Sequence, residues 1–340
     1  MKCLVTGGSG YLGSSLIEFL SKEFNQITNF DVSPNKKSNI NFFQGDIKNI
    51  VDINKATKNI DIIYHCIAKV PVTKNKKEFY LINNLGTENL LKAAIENNVK
   101  KVIYISSSAV FGIPSNLPIR ENDDRIAVEE YGKSKIEAEN LCIEYMKKGL
   151  DITIIRPRTI LGETRLGIFG LLFEWIENNN NIPVLNNGKN FYQFIDIRDL
   201  NEAIYLASIS KGSNIFNIGA EKFSSIYELL SNLINTVKST SNIKNLEKNL
   251  IFKMLFLISK SNLIPLQEYH FKVYGESVFF DISKAKKVLN WQPKYSCDQS
   301  ILDSYNAYIN IKKSDKLNEG GSPHNSLLKR GLLKYAHYFF

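Results

Sequence analysis

At 340 residues, 44% hydrophobic and 23% charged, the chain can bury a large core, as one big domain or two coupled ones. Its formal charge is +9, but residues 311–340 carry six Lys/Arg against two Asp/Glu, so +4 of that lies in the tail. The body is too mildly basic to argue for nucleic acid. The four cysteines (Cys3, Cys66, Cys142 and Cys297) show no Cys-x-x-Cys and no nearby His pair, which argues against a metal site and for reduced cytoplasmic thiols. Met1-Lys2 leads straight into a strand pattern, so no signal peptide is expected. No apolar run reaches the ~18 residues of a spanning helix.

Lys2 to Thr6 reads as a strand, and Gly7-Gly8-Ser9-Gly10-Tyr11-Leu12-Gly13 follows, opening a helix with Leu16, Ile17, Phe19 and Leu20 on one side. In such a strand–turn–helix unit Gly7 makes the tight turn and Gly10 lets the backbone approach a pyrophosphate. Gly13 lets the helix pack close to the strand. A second strand, Ile27 to Phe30, ends at Asp31, where a carboxylate accepts from ribose hydroxyls and repels a 2′-phosphate, favouring NAD over NADP. Lys36 and Lys37 lie in the loop beyond. A third strand, Ile40 to Phe43, leads to Gly45-Asp46-Ile47, with Asp46 placed for an adenine edge. A fourth, Ile60 to His65, ends at Cys66-Ile67-Ala68, a small apolar wall for the dinucleotide, with His65 read as a packed strand-end residue.

Phe79 to Asn97 is expected as one long helix, and Lys101 to Ile105 as a fifth strand opening onto Ser106-Ser107-Ser108. Alternating strands and helices predict an α/β fold with a parallel doubly wound sheet, and place catalytic groups at the strands' C-terminal ends. Tyr131 and Lys135 then stand four apart on a helix running to about Lys148, so both project from one face. The ammonium favours the phenolate, which makes the tyrosine a usable acid or base. Asp151 to Arg156 is another strand, closed by Pro157. Beyond Arg158 the rhythm loosens: a helix over Phe169 to Ile176, a strand over Gln193 to Ile197, a helix over Asp199 to Ser208 and a strand over Asn214 to Ile218. A helix over Ser225 to Val237, an apolar stretch from Leu250 to Leu266 and a last helix from Ser300 to Ile311 complete the body.

Together, Thr6 to Gly13, Asp31, Gly45-Asp46-Ile47, His65 to Ala68, Asn83 with Gly86-Thr87, Ser106 to Gly112, Tyr131 to Lys135, Arg156-Pro157 and Trp291-Gln292-Pro293 resemble the extended short-chain dehydrogenase/reductase family, in its NAD-dependent epimerase/dehydratase group. The likeness spans residues 1 to about 310 and implies a Rossmann-type fold with a smaller, discontinuous α/β substrate domain. It divides the chain into 1–157 with 194–218 for NAD, 158–193 with 219–311 for substrate, and 312–340 as a basic amphipathic tail. It implies Tyr131 as proton shuttle, Lys135 on the nicotinamide ribose and Ser107 as the active-site hydroxyl, with Ser108 its neighbour. NAD contacts are expected from Gly7, Gly10, Tyr11, Leu12, Gly13, Asp31, Asp46, Ile47, Cys66, Ile67, Ala68, Asn83 and Pro157, besides Tyr131 and Lys135.

Relatives that dehydrate sugars carry Asp and Glu after the active-site Ser/Thr, where this chain has Ser108 and Ala109. Dehydration is therefore disfavoured, and decarboxylation with it, since related decarboxylases use a Glu where Ala109 stands. Epimerase or plain dehydrogenase remains. The implied function is a sugar-nucleotide epimerase acting at C4 in surface-polysaccharide precursor synthesis. The alternatives are a ketoreductase of the hydroxysteroid-dehydrogenase-like branch and an epimerase of a lipid-linked sugar. Two departures bear on this choice. Thr159 replaces an Asn common in sugar-nucleotide members, and Tyr192 replaces an Arg that pairs with the diphosphate, leaving Arg158, Arg165 and Lys272 as substitutes. A homodimer is implied by the resemblance. The tail places Leu327, Leu328, Leu332, Tyr335 and Phe339 on one face of a basic helix, which suits contact with the inner membrane surface of a cytoplasmic enzyme.

Overall fold

The computed structural model describes residues 1–34, 40–70, 76–163, 167–246, 273 and 275–314. In chain order the first half runs β1 (Lys2–Thr6), α1 (Tyr11–Leu20), β2 (Gln26–Asp31), β3 (Asn41–Gln44), α2 (Ile50–Ala56), β4 (Ile62–His65), α3 (Lys76–Phe79), α4 (Gly86–Glu96), β5 (Lys101–Ile105), α5 (Glu130–Lys147) and β6 (Ile152–Pro157). The second half runs β7 (Thr159–Leu161), α6 (Gly167–Glu177), β8 (Ile182–Leu185), β9 (Phe194–Asp196), α7 (Ile197–Ile209), β10 (Asn214–Ile218), α8 (Ile226–Thr236), β11 (Ile243–Leu246), α9 (Ser283–Leu289) and α10 (Cys297–Lys313).

Seven parallel strands form the main sheet in the order β10-β6-β5-β4-β1-β2-β3. The near-continuous apolar runs of β4, β5 and β6 reflect burial on both faces, as parallel sheets require. On one face Leu16, Ile17, Leu200 and Ala203 of α1 and α7 pack with Val5, Ile103 and Ile155. On the other, Ile53, Leu90, Ala94, Ala138 and Cys142 of α2, α4 and α5 pack with Leu4, Ile63 and Val102. The order reverses between β1 and β4, which opens a crevice at the strands' C-terminal ends. A third core, with Phe173, Val184, Leu229, Ile301 and Tyr308, joins α6, β8, α8 and α10.

Several expectations are corrected in detail. The long helix starts at Lys76 rather than Phe79, and its middle, Tyr80–Leu85, is a π-helical turn. The strand expected over Gln193 to Ile197 shortens to Phe194–Asp196, because the Asp196 carboxylate accepts from the Arg198 amide and caps α7. The region after Arg158 holds three short strands that the pattern does not reveal. β7 pairs with β9 and β8 with β11, all in parallel. Lys36, Lys37, Arg165, Lys272, the Leu250 to Leu266 stretch and the C-terminal tail lie outside the described residues. Among the described residues no helix is long and apolar enough to cross a membrane.

Candidate active site

The crevice floor is the turn between β1 and α1. Gly7 sits at φ +76°, a backbone that L side chains rarely adopt, and its amide donates to Phe30 O at 2.9 Å. A Cβ on Gly13 would stand 2.1 Å from Gly7 O, so only glycine lets α1 lie this close to β1. Above Gly10, among the described residues beyond its own neighbours in the chain, a Cβ built there would meet only Gly7 O, at 3.2 Å. Gly10 is also the N-cap of α1 and brings no side chain to the first-turn amides. An open cradle over an uncapped helix N-terminus fits a dinucleotide's pyrophosphate.

Around this turn, the Asp31 carboxylate accepts from the Ser9 amide at 3.2 Å and the Ser33 amide at 3.3 Å, which fixes it at the rim of the crevice. Asp46 accepts from the Lys48 amide and pairs with the Lys48 ammonium at 3.1 Å. Ile47 is buried against Gly86. Cys66, Ile67 and Ala68 line the far wall, half-buried, with the Cys66 amide donating to Thr6 O at 3.0 Å. Tyr11 and Pro157 are buried and Leu12 is half-buried. Asn83 is buried too, and its amide group is spent on the Lys69 backbone, at 2.7 and 3.2 Å, and on Ser134 Oγ at 2.9 Å. It shapes the wall from behind.

On the other side of the crevice, α5 begins beside the turn that follows β5. The Glu129 carboxylate caps it, accepting from the Tyr131 amide at 3.3 Å, and burial raises the pKa of that carboxyl. A Cβ on Gly132 would stand 2.6 Å from Ala109 O, so the start of α5 is pressed onto the residues after Ser107. Lys135 is 2% exposed, and its ammonium donates to Ile105 O at 2.8 Å and Tyr104 Oη at 3.2 Å. Burial pulls its pKa down to about 8. The three serines are sorted by geometry. Ser106 is buried and donates to Glu139 at 2.6 Å, and Ser108 is buried in a short 3₁₀ turn. Ser107 is half-buried, and its Oγ accepts from the Ala109 amide at 3.2 Å, which leaves its proton available.

The expected substrate contacts part company. The Thr159 and Tyr192 hydroxyls meet at 3.0 Å. Arg158 is buried behind them, its Nε donating to Gln193 O at 3.1 Å and its guanidinium lying 4.7 Å from the Tyr192 ring and 5.4 Å from the Phe280 ring. Its Nη1 and Nη2 have no hydrogen-bond partner among the described residues.

The sequence patterns also leave unassigned what holds these groups from beneath. Glu139 receives Arg156 Nε at 2.8 Å and Nη2 at 2.7 Å, and Arg125 Nη1 at 2.9 Å. Burial works against its charge, but these arginines and Ser106 hold its carboxyl below the usual range. Its spacing of four from Lys135 is the one signal the sequence offers. Among the described residues no cluster of His, Cys, Asp and Glu could hold a metal.

Comparison with known proteins bears on this arrangement. The model of the NAD dependent epimerase/dehydratase family matches residues 3–219. The uncharacterized protein y4nG of Sinorhizobium fredii is 38% identical over 98% of this chain and 85% of its own length. The decarboxylating sterol-4-alpha-carboxylate 3-dehydrogenase of Mus musculus is 23% identical, over 92% of each chain. A variant of the UDP-glucuronic acid 4-epimerase of Bacillus cereus, solved with UDP-4-deoxy-4-fluoro-glucuronic acid and NAD, superposes with a TM-score of 0.76 at 25% identity, covering 92% of this chain and all of that one.

Proposed function

This chain belongs to the NAD-dependent epimerase/dehydratase family and uses NAD, and on that premise we propose that it is a nucleotide-sugar epimerase working at C4 through a transient 4-keto sugar. The reading is supported by the uncapped N-terminus of α1 at the end of β1 and, at the end of β5, by the buried Lys135, with Tyr131 one turn before it on α5, and by the Ser107 hydroxyl. Bound NAD would accept a hydride from the sugar carbon and return it to the opposite face. The chain's own residues do the rest. Tyr131 takes the proton of the sugar hydroxyl and later gives it back. The ammonium of Lys135 favours the phenolate that this needs. The Ser107 hydroxyl donates a hydrogen bond, keeping its proton, to the oxygen that becomes the ketone. Asp31 holds the ribose hydroxyls, and Thr159 and Tyr192 border the sugar nucleotide.

In this reading residues 1–157 with 194–218 form the NAD lobe, and 158–193 with 219–311 close over the substrate. The enzyme works in the cytoplasm as a homodimer packed through α4 and α5, on precursors of surface polysaccharide. The test is a proton NMR time course with catalytic NAD and UDP-N-acetylglucosamine. The galacto epimer should appear without net NADH, and Tyr131→Phe should abolish it. A second reading, net oxidation of a sterol-like alcohol, is favoured by Tyr192 standing as an aromatic surface over Arg158 and by the likeness to the sterol dehydrogenase. Stoichiometric NADH formed from a 3β-hydroxysteroid, with the sugar nucleotide untouched, would establish it instead.

A further inference from the structure

Thr6, His65 and Tyr104 stand side by side in register across β1, β4 and β5, at the strand ends that border the crevice. Neighbours in register on parallel strands present their side chains to the same sheet face. Here that face is covered by α4 and α5, which bring Thr87 and Lys135. Thr6 Oγ1 lies 2.7 Å from His65 Nδ1, and His65 Nε2 lies 3.1 Å from Thr87 Oγ1. Thr87 Oγ1 also donates to Asn83 O at 2.7 Å. Tyr104 Oη in turn receives the Lys135 ammonium at 3.2 Å.

The proton directions follow by elimination. A carbonyl cannot donate, so the single Thr87 proton goes to Asn83 O. Thr87 Oγ1 must then accept from His65 Nε2. His65 is neutral, since burial, helped by the Lys135 charge, lowers its pKa to about 3. Its Nδ1 therefore accepts the Thr6 proton. An ammonium only donates, so Tyr104 Oη faces Lys135 as an acceptor. The network ends at Asn83 O, so it carries no proton across the sheet; it sets an orientation. Two of the three ammonium protons of Lys135 are thereby assigned, to Ile105 O and Tyr104 Oη, and one remains for the crevice. The ionisable groups that act on Lys135 are Cys66 after β4 and Glu139 and Cys142 on α5.

We propose that Tyr104 is a positioning residue of the reaction: its oxygen aims the ammonium of Lys135 at the site shared by Tyr131 and the cofactor. This rests on Tyr131 and Lys135 being the catalytic pair. The test is Tyr104→Phe, with tyrosines labelled at Cζ and the Tyr131 signal assigned by its loss in Tyr131→Phe. The Tyr131 titration should move to higher pH in the free protein. NAD affinity should fall about 3- to 10-fold, as for one lost hydrogen bond of ordinary strength. Turnover should fall near neutrality and recover as pH rises, with little change in KM. Should Tyr104→Phe fold and leave both the Tyr131 titration and NAD affinity as in wild type, the proposal is overturned. If Tyr131→Phe and Lys135→Met themselves leave turnover intact, the catalytic reading fails first, and the two failures are thus distinguishable.

Discussion

Two buried networks support α5 from below, and they are built from opposite materials. The one under Lys135 is neutral: the Tyr104 hydroxyl against the ammonium and, beside it, the hydroxyls of Thr6 and Thr87 on an uncharged imidazole. The one under Ser106 is ionic: Glu139 between Arg156 and Arg125. A neutral network holds geometry at modest energy and is indifferent to pH near neutrality. A buried ion pair holds geometry strongly only while both charges are present, because a lone buried charge is costly. One α-helix thus carries the Lys135 ammonium on a pH-insensitive mount and, a turn later, a carboxylate on a pH-sensitive one.

The largest expected effect comes from breaking the ionic side. Glu139→Ala should destabilise by about 3–5 kcal/mol in urea unfolding, since Arg156 is left buried and unpaired. The carboxyl of Glu139 titrates below its ordinary 4.5 when folded. Its stabilisation is therefore complete above that value and is lost as pH falls through the folded pKa. Glu139→Gln should flatten that acid limb. Next comes Lys135→Met, which should abolish turnover yet raise stability at pH 7 by about 1–3 kcal/mol. A lysine whose pKa falls from 10.5 to about 8 on folding opposes folding while charged, and wild-type stability should rise between those two values. Thr6→Val, at the far end of the neutral network, should cost about 1 kcal/mol and leave the pH profile of stability unchanged. Asp31→Ser, remote from both networks, should scarcely move stability but narrow the preference for NAD over NADP about tenfold in cofactor titrations.

How legible these parts were depends on how local they are. The glycine turn, Asp31 and the Tyr131/Lys135 pair lie within short windows whose spacing has a direct geometric meaning, and the sheet order follows from the strand–helix alternation. The neutral network was hidden because Thr6, His65 and Tyr104 meet through strand register, which nothing in the pattern of β1, β4 or β5 specifies. Arg158 was expected at the substrate because its charge stands out in the sequence. It lies instead in the one-residue link between β6 and β7, with its guanidinium between the Tyr192 and Phe280 rings. The short strands after it were missed because β8 finds its partner some 60 residues on, in β11, and four-residue apolar runs look alike in strands and helices.

The wide turn at Tyr80–Leu85 acts as a length gauge. A π-helical turn holds one residue more than the α-helix around it needs. Asn83, inside it, reaches Ser134, while Thr87, one turn on, reaches His65. Removing a single residue from Tyr80–Leu85 would restore an ordinary helix and turn one of these side chains about 100° away from its partner. The helix should still form and still pack, so a one-residue deletion here is expected to yield a folded protein with slack active-site geometry. Neighbouring surface loops, by contrast, should tolerate the loss of a residue without any such change of phase.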